Sequence, residues 1–314
     1  MVINLRKNMQ KKYLIILVLM LALFSVFFFL SLGDKISMTK NNKKTVLSTF
    51  TVISDMVREV GGDRIDSISL TKPGTEIHGY EPTPGDLVRA SKADIIFDNG
   101  LNLEVWASKL YNSIPDVKHV TLSEGVTPIS IEEGLYKDKP NPHVWMSPKQ
   151  ALIYVENIRR ALGELSPEDA DYFDKQAKIY SDKIKALDTH MRDSIATLPK
   201  EKRYLVTCEG AFTYLTKDYG LNELYLWAIN DESQGSPQQI AKVVDEVKKN
   251  KIDVVFCEST IEPRIQEEVV RASGARLGGL LYVDSLSSLD GPAPTYLKLL
   301  EHTVSTIVNG LLNK

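Results

Sequence analysis

Short apolar runs rich in β-branched residues alternate with helical hydrophobic patterns from Thr45 to the end of the chain. Such an alternation predicts an α/β fold, with parallel or mixed sheets flanked by helices. The runs predict strands over Thr45–Thr51, Ile65–Leu70, Asp94–Asp98, His119–Leu122, Tyr204–Thr207, Glu223–Trp227, Val254–Glu258 and Arg276–Leu281. The intervening patterns predict helices over Ser54–Val60, Leu103–Tyr111, Pro148–Leu162, Pro237–Lys249, Pro263–Ser273 and Thr295–Leu312.

One long helix is expected between the two groups of strands, over residues 166–198. Ser166 is a candidate cap with Asp169 completing a capping box, and Pro199 ends the apolar pattern. About 30 residues at 1.5 Å each would make a rod of roughly 45 Å. A coiled-coil dimer would also use such a stripe, but the heptads are few. We therefore predict a monomer with two lobes, residues 45–165 and 199–314, joined by a linker helix.

The first 33 residues differ in composition from the rest. Four basic residues precede an uncharged stretch from Tyr13 to Gly33, which is typical of an export segment. The stretch is long enough to span a bilayer, so cleavage before Asp34 and anchoring are both open. A buried core helix is the weaker alternative. Residues 34–44 are polar and lysine-rich and are expected to form a flexible tether.

The charge balance and the cysteines limit the location and the partners. The chain has net charge −3, and its first 33 residues carry four positive and no negative charges, so the remainder carries −7. A surface of that sign does not favour nucleic acid. No cysteine lies near the N-terminus, so we expect no lipid-modified cysteine there. The expected location is the periplasm or the outer face of the cytoplasmic membrane.

Four polar residues far apart in sequence are the candidate chemistry. His78 and His143 lie in proline-marked loops, whereas Glu209 and Asp284 follow apolar runs. Their wide spacing excludes a local metal finger and requires a complete fold to bring them together. Two neutral imidazoles and two carboxylates balance one divalent cation, and a closed shell suits holding a metal better than catalysis.

Two other classes of function are alternatives to a protein that holds a metal without catalysis. A metalloenzyme with a two-histidine, carboxylate site would keep an open coordination position for water or substrate. An adhesin would require an exposed apolar patch and has no motif of its own here. The other histidines, His119, His190 and His302, are expected at the surface because they lie off the apolar patterns.

The surrounding motifs resemble those of the metal-binding proteins of bacterial ABC importers that take up manganese, zinc or iron. The matching segments are PGTEIHGYEPTPGD around His78, NPHVW around His143, EGAF at Glu209 and VDS at Asp284. The segment NDESQGSP at 230–237 is also similar to that family. The resemblance covers the chain from about Thr45 onward. It implies a solute-binding protein, not an enzyme, that delivers a divalent metal to a membrane permease.

The third ligand position implies which metal is carried. Zinc-type members of the family usually have histidine at the place of Glu209 and often a histidine-rich loop, whereas residues 123–142 here contain no histidine. A carboxylate-rich shell is harder and suits Mn²⁺, or Fe²⁺. Zinc would still bind, because it lies above manganese in the Irving–Williams order. We therefore expect Mn²⁺ as the cargo, with Zn²⁺ or Fe²⁺ as alternatives.

The two cysteines, Cys208 and Cys257, each follow an apolar run and precede a glutamate. If their strands are neighbours, equivalent positions lie about 4.8 Å apart, which is within reach of a disulfide. An exported protein meets an oxidising environment, so a Cys208–Cys257 disulfide is expected. Two buried free thiols are the alternative.

Overall fold

Two groups of parallel strands, one in each lobe, organise the chain. The computed structural model describes residues 43–230 and 235–313, together with Met20. The expected export segment and tether fall almost entirely outside these residues. Within the described ranges no helix is both long and apolar enough to span a bilayer.

The first lobe contains a four-stranded parallel sheet. Its strands are β1 (Lys44–Ser48), β2 (Ile65–Ser69), β3 (Ile95–Asp98) and β4 (Lys118–Thr121), in the order β2-β1-β3-β4. Its helices are α1 (Thr51–Gly61), α2 (Pro84–Ala90), α3 (Ala107–Ser113) and α4 (Pro148–Leu165). All of β3 and the last three residues of β1 are buried, as expected for the centre of a sheet covered on both faces.

The second lobe repeats this arrangement with two parallel pairs. Strand β5 (Tyr204–Glu209) pairs with β6 (Asn222–Trp227), and β7 (Val254–Glu258) pairs with β8 (Arg276–Leu281). Strands β5 and β7 lie side by side. The helices are α6 (Thr213–Tyr219), α7 (Pro237–Lys249), α8 (Arg264–Ser273) and α9 (Tyr296–Leu312). The two-lobed α/β fold predicted from the sequence is confirmed.

The linker helix, α5, spans Ala170–Ala196. Its 27 residues give a rod of about 40 Å. The expected cap is wrong: residues Pro167–Asp169 form a separate 3-10 turn, and the side chain of Ser166 makes no capping hydrogen bond. The buried face of α5 packs on α1, α4 and α9, so other helices of the same chain cover its apolar stripe.

Helix α3 begins four residues later than predicted. Leu101 and Asn102, just before the predicted start, adopt left-handed backbone conformations with φ of 54° and 64°, and the chain continues as turns. Turns therefore occupy residues 101–106, and the helix starts at Ala107.

One hydrophobic core continues from the first lobe into the second. It includes Ile96 of β3, Tyr180 of α5 and Leu281 of β8. A smaller core lies within the second lobe between its strands and the helices α7 and α8. Because the larger core is shared, the two lobes do not form independently packed bodies.

Candidate metal centre

The four candidate residues meet at the carboxyl ends of the strands, where open α/β sheets bind ligands. Glu209 is the last residue of β5, and Asp284 lies three residues beyond β8. His78 lies in the loop between β2 and α2, and His143 directly precedes a 3-10 turn before α4. One donor atom from each lies within 4.8 Å of the others. The structure therefore brings together all four residues singled out from the sequence.

The separations between donor atoms suit one shared cation. The Nε2 atoms of His78 and His143 are 3.1 Å apart, and His78 Nε2 lies 3.2 Å from Glu209 Oε1. His143 Nε2 lies 3.5 Å from Glu209 Oε2 and 3.7 Å from Asp284 Oδ1. Ligand atoms about 2.1 Å from one ion are separated by about 3.0–3.5 Å. Small shifts would complete a coordination shell.

Backbone hydrogen bonds to Glu76 shape the His78 loop. The carboxylate of Glu76 accepts from the N–H groups of His78 and Gly79, both at 2.8 Å. On the other side of the loop, the N–H of Gly74 donates to Ser285 Oγ at 2.7 Å. Ser285 follows Asp284 in the chain, so the loop that carries the first histidine is fastened beside the last carboxylate.

Asn141 orients His143. Its Oδ1 accepts from the backbone N–H of His143 at 3.0 Å and lies 2.9 Å from His143 Nδ1. Because an amide oxygen can only accept, Nδ1 carries the proton and Nε2 presents its lone pair to the other ligands. The amide nitrogen of Asn141 donates across to Gly210 O of the second lobe at 2.6 Å. One side chain therefore joins His143 to the residue after Glu209.

Asn230 holds the two carboxylates. Its backbone N–H donates to Glu209 Oε1 at 2.7 Å, and its Nδ2 donates to Glu209 Oε2 at 3.0 Å. The same Nδ2 lies 3.4 Å from Asp284 Oδ2, which also accepts from Thr260 Oγ1 at 3.3 Å. Asp284 Oδ1 is buried and has no hydrogen-bond partner within the described part of the chain. A cation at this place would satisfy that oxygen.

Burial sets the protonation of all four residues. It lowers the pKa of His143 to about 3, and burial together with nearby His143 lowers the pKa of His78 well below its usual value. Both imidazoles are therefore neutral and able to coordinate a metal. Burial raises the pKa of Glu209, and burial followed by the charge of Glu209 raises that of Asp284. A divalent cation would stabilise both ionised carboxylates.

A cavity of about 700 Å³ leads to His78 from the surface. Glu76 and Asn230 also line it, together with residues from the segments 101–105 and 131–142. Sequence reasoning did not single out Glu76 or Asn230 as parts of the site. The signal for Glu76 was its position two residues before His78, and Asn230 opens the NDESQGSP segment.

The remaining histidines and the cysteines lie outside this centre. His119 and His190 are exposed, as expected, and His302 is partly buried with Nε2 3.1 Å from Leu280 O. The expected disulfide is wrong. Cys208 and Cys257 do lie on neighbouring strands, but both are free thiols, and their Sγ atoms are 3.9 Å apart compared with about 2.05 Å in a disulfide.

Fold and site together define a two-lobed α/β substrate-binding protein with a buried cluster of nitrogen and oxygen ligands. The family model for "ZnuA: Zinc-uptake complex component A periplasmic" matches residues 46–310. The chain belongs to this family of extracytoplasmic metal-binding proteins of ABC importers, whose members are not enzymes. The resemblance noted from the motifs is confirmed, and the metalloenzyme alternative is set aside.

The names of similar proteins mention different metals. The iron-binding protein YfeA of Yersinia pestis is 49% identical over 295 residues, which is 92% of this chain and 95% of that protein. The manganese ABC transporter substrate-binding lipoprotein PsaA of Streptococcus mitis is 33% identical, covering 86% of this chain and 89% of its own. The solved structure of a Mn-bound periplasmic metal-binding protein from Candidatus Liberibacter asiaticus has a TM-score of 0.79 and 37% identity, covering 86% of this chain and 100% of its own.

The streptococcal relative is named a lipoprotein, which conflicts with the expectation that this protein has no lipid-modified cysteine. The given sequence has no cysteine before Cys208.

Proposed function

We propose that this protein captures Mn²⁺ outside the cytoplasm and delivers it to the membrane permease of an ABC importer. His78, His143, Glu209 and Asp284 are the proposed ligands. The observation that carries the proposal is the convergence of two neutral imidazoles and two carboxylates in one buried cluster, with Asp284 Oδ1 left without a partner among the described residues. Both net charge and donor geometry suit one divalent cation.

The choice of manganese rests on the hardness of the donors. Each of the two carboxylates can bind through one or both oxygens, so the shell can supply more than four donor atoms. A coordination number above four suits Mn²⁺ better than Zn²⁺. Iron(II) is the second candidate, because a relative with 49% identity is named an iron-binding protein and Fe²⁺ accepts the same donors. Zinc would bind as well, so metal availability outside the cytoplasm also contributes to selection.

Alanine substitutions at the ligands test the site. Glu209→Ala and Asp284→Ala should each weaken Mn²⁺ binding by at least about 100-fold, because loss of even an outer-sphere partner typically costs 10–100-fold. Calorimetric titration measures the affinity, and circular dichroism checks that the lobes remain folded. Asp182→Ala, on the exposed side of α5, is the control and should bind like the parent protein. Unchanged affinity in both ligand variants would contradict the assignment.

The identity of the cargo requires a separate measurement. Protein isolated without oxygen from its own compartment, with no metal added, should contain manganese as its main metal when analysed by mass spectrometry. Iron as the main metal would replace Mn²⁺ by Fe²⁺ in the proposal and leave the ligand assignment intact.

A further inference from the structure

A second group of ligand-type side chains lies in the second lobe, outside the candidate metal centre. It consists of Cys208 of β5 with Cys257 and Glu258 of β7. One atom from each of the three residues lies within 4.8 Å of the others, and all three residues are buried. Neither the family match nor the four-ligand cluster gives this group a role.

The spacing of the two sulfur atoms fits a shared cation. In a tetrahedral site with metal–sulfur bonds of about 2.3 Å, two sulfur ligands lie about 3.8 Å apart. Cys208 Sγ and Cys257 Sγ are 3.9 Å apart. The fit arises because β5 and β7 lie side by side and both cysteine side chains belong to one apolar cluster. No movement of the strands is needed to bring the sulfur atoms to coordinating distance.

The Glu258 carboxyl group supplies an oxygen as the third donor. Its position is fixed by the backbone N–H groups of Cys208 and Glu209, which lie 3.2 Å from Glu258 Oε1. A further oxygen next to these strands has no hydrogen-bond partner among the described residues: Gln266 Oε1, whose amide nitrogen donates to Phe256 O.

We propose that Cys208, Cys257 and Glu258 form a second cation site that takes a thiophilic divalent ion such as Cd²⁺ or Zn²⁺. On binding, both thiols lose their protons to solvent and two metal–sulfur bonds form, with no change of oxidation state. Thiolates select soft ions, whereas the imidazole and carboxylate cluster suits harder ones. The two sites therefore sort cations by softness. This inference does not depend on which metal is the transported cargo.

Cadmium is a suitable probe, because its bonds to thiolate produce a charge-transfer absorption in the ultraviolet that oxygen and nitrogen ligands do not produce. Fully reduced wild-type protein should bind two Cd²⁺ ions at equilibrium, one of them with this absorption. The double variant Glu209→Ala, Asp284→Ala should bind one Cd²⁺ and retain the absorption. Cys208→Ser and Cys257→Ser should each lose the absorption together with one equivalent of Cd²⁺.

Two further variants refine the test. Glu258→Gln should weaken the site while both thiolates keep the absorption, and Ser259→Ala, which removes a buried hydroxyl on the same chain segment, should leave it unchanged. If the reduced, folded wild type shows no charge-transfer absorption, the proposal is overturned. The same holds if the absorption persists without either cysteine. If the wild type binds no Mn²⁺ but shows the Cd²⁺ absorption, the proposed function alone is contradicted.

Discussion

At the scale of single residues, the centre holds polar groups that are unfavourable in a protein interior without an ion. Burial works against ionisation of Glu209 and Asp284 and keeps both histidines neutral. The side chains that organise these ligands are amides and carboxylates outside the cluster, chiefly Asn230, Asn141 and Glu76. They fix the orientation of each ligand before any ion arrives, which reduces the ordering that binding requires.

Asn230→Ala should weaken Mn²⁺ binding by about 10–100-fold, since it removes the amide that holds both carboxylates. Thr260→Ala is the matched comparison, because it removes only one long hydrogen bond to Asp284, and its effect should be smaller. Calorimetric titration of the two variants distinguishes them. Equal effects would show that the amide of Asn230 has no special part in holding the ligands.

Glu223 should make stability depend on pH. Burial raises its pKa from 4.5 to about 7, although Thr213 Oγ1 and the N–H of Phe212 donate to it. Between these values the unfolded chain has lost the proton while the folded protein keeps it, so stability falls as pH rises through this window. The loss has an upper limit of about 3 kcal/mol.

Glu223→Gln keeps the shape and one acceptor oxygen, which can still accept from the N–H of Phe212, but it cannot ionise. The variant should therefore lose less stability than wild type between about pH 5 and about pH 8, as measured by urea unfolding at both values. Parallel pH profiles for the two proteins would show that Glu223 does not retain its proton in the folded state.

At the scale of elements, the contact between α9 and β8 depends on small residues. A Cβ on Gly310 would lie 2.7 Å from Phe256 Cε1 and 3.2 Å from Gly278 O. A Cβ on Gly163 of α4 would meet nothing closer than Ala170 Cβ at 3.9 Å. Both glycines are in α-helices, so they differ only in how much space a side chain would have.

Gly310→Ala should destabilise the protein by about 1–3 kcal/mol through overpacking, partly offset by the better helix propensity of alanine. Gly163→Ala should be neutral or stabilising by up to about 1 kcal/mol. Denaturant unfolding of both variants provides the comparison. Equal stabilities would mean that α9 shifts away from β8 at little cost.

The sequence predicted these elements well where hydrophobic periodicity was strong. Strands Val254–Glu258 and Arg276–Leu281 and helix Pro237–Lys249 were predicted with their observed bounds. The failures occurred where local backbone geometry overrides the pattern, as at Leu101 and Asn102 before α3. The four clustered polar residues were found because each follows a strand or lies in a proline-marked loop. Asn230 and Glu76 were missed, because their roles depend on contacts that only the fold creates.

At the scale of the whole molecule, the lobes are connected by more than the linker helix. Trp145 Nε1 donates to Val283 O at 3.1 Å, and Tyr296 OH donates to Trp145 O at 2.6 Å. The N–H of Leu286 donates to Thr51 Oγ1 at 2.9 Å. Together with the shared core, these bonds oppose wide opening of the cleft.

Metal binding should therefore change the overall dimensions very little. We expect the same radius of gyration, within error, by small-angle X-ray scattering with and without Mn²⁺. Hydrogen exchange should slow mainly in the His78 loop, residues 73–79, where a ligand is carried by irregular backbone. A large compaction on adding metal would show that the lobes move as separate bodies.

Through Asn141, the distance between the lobes affects the orientation of a metal ligand. Its Oδ1 accepts a hydrogen bond from the imidazole of His143, while its Nδ2 donates to the carbonyl of Gly210, directly after Glu209. A transporter that separated the lobes by binding their outer surfaces would stretch both hydrogen bonds of this amide. His143 would lose its fixed tilt as Glu209 moved away, so two ligands would leave the ion in one movement. Release of the ion would then require only that the lobes be moved apart from outside. No competing ligand or proton would have to enter the centre.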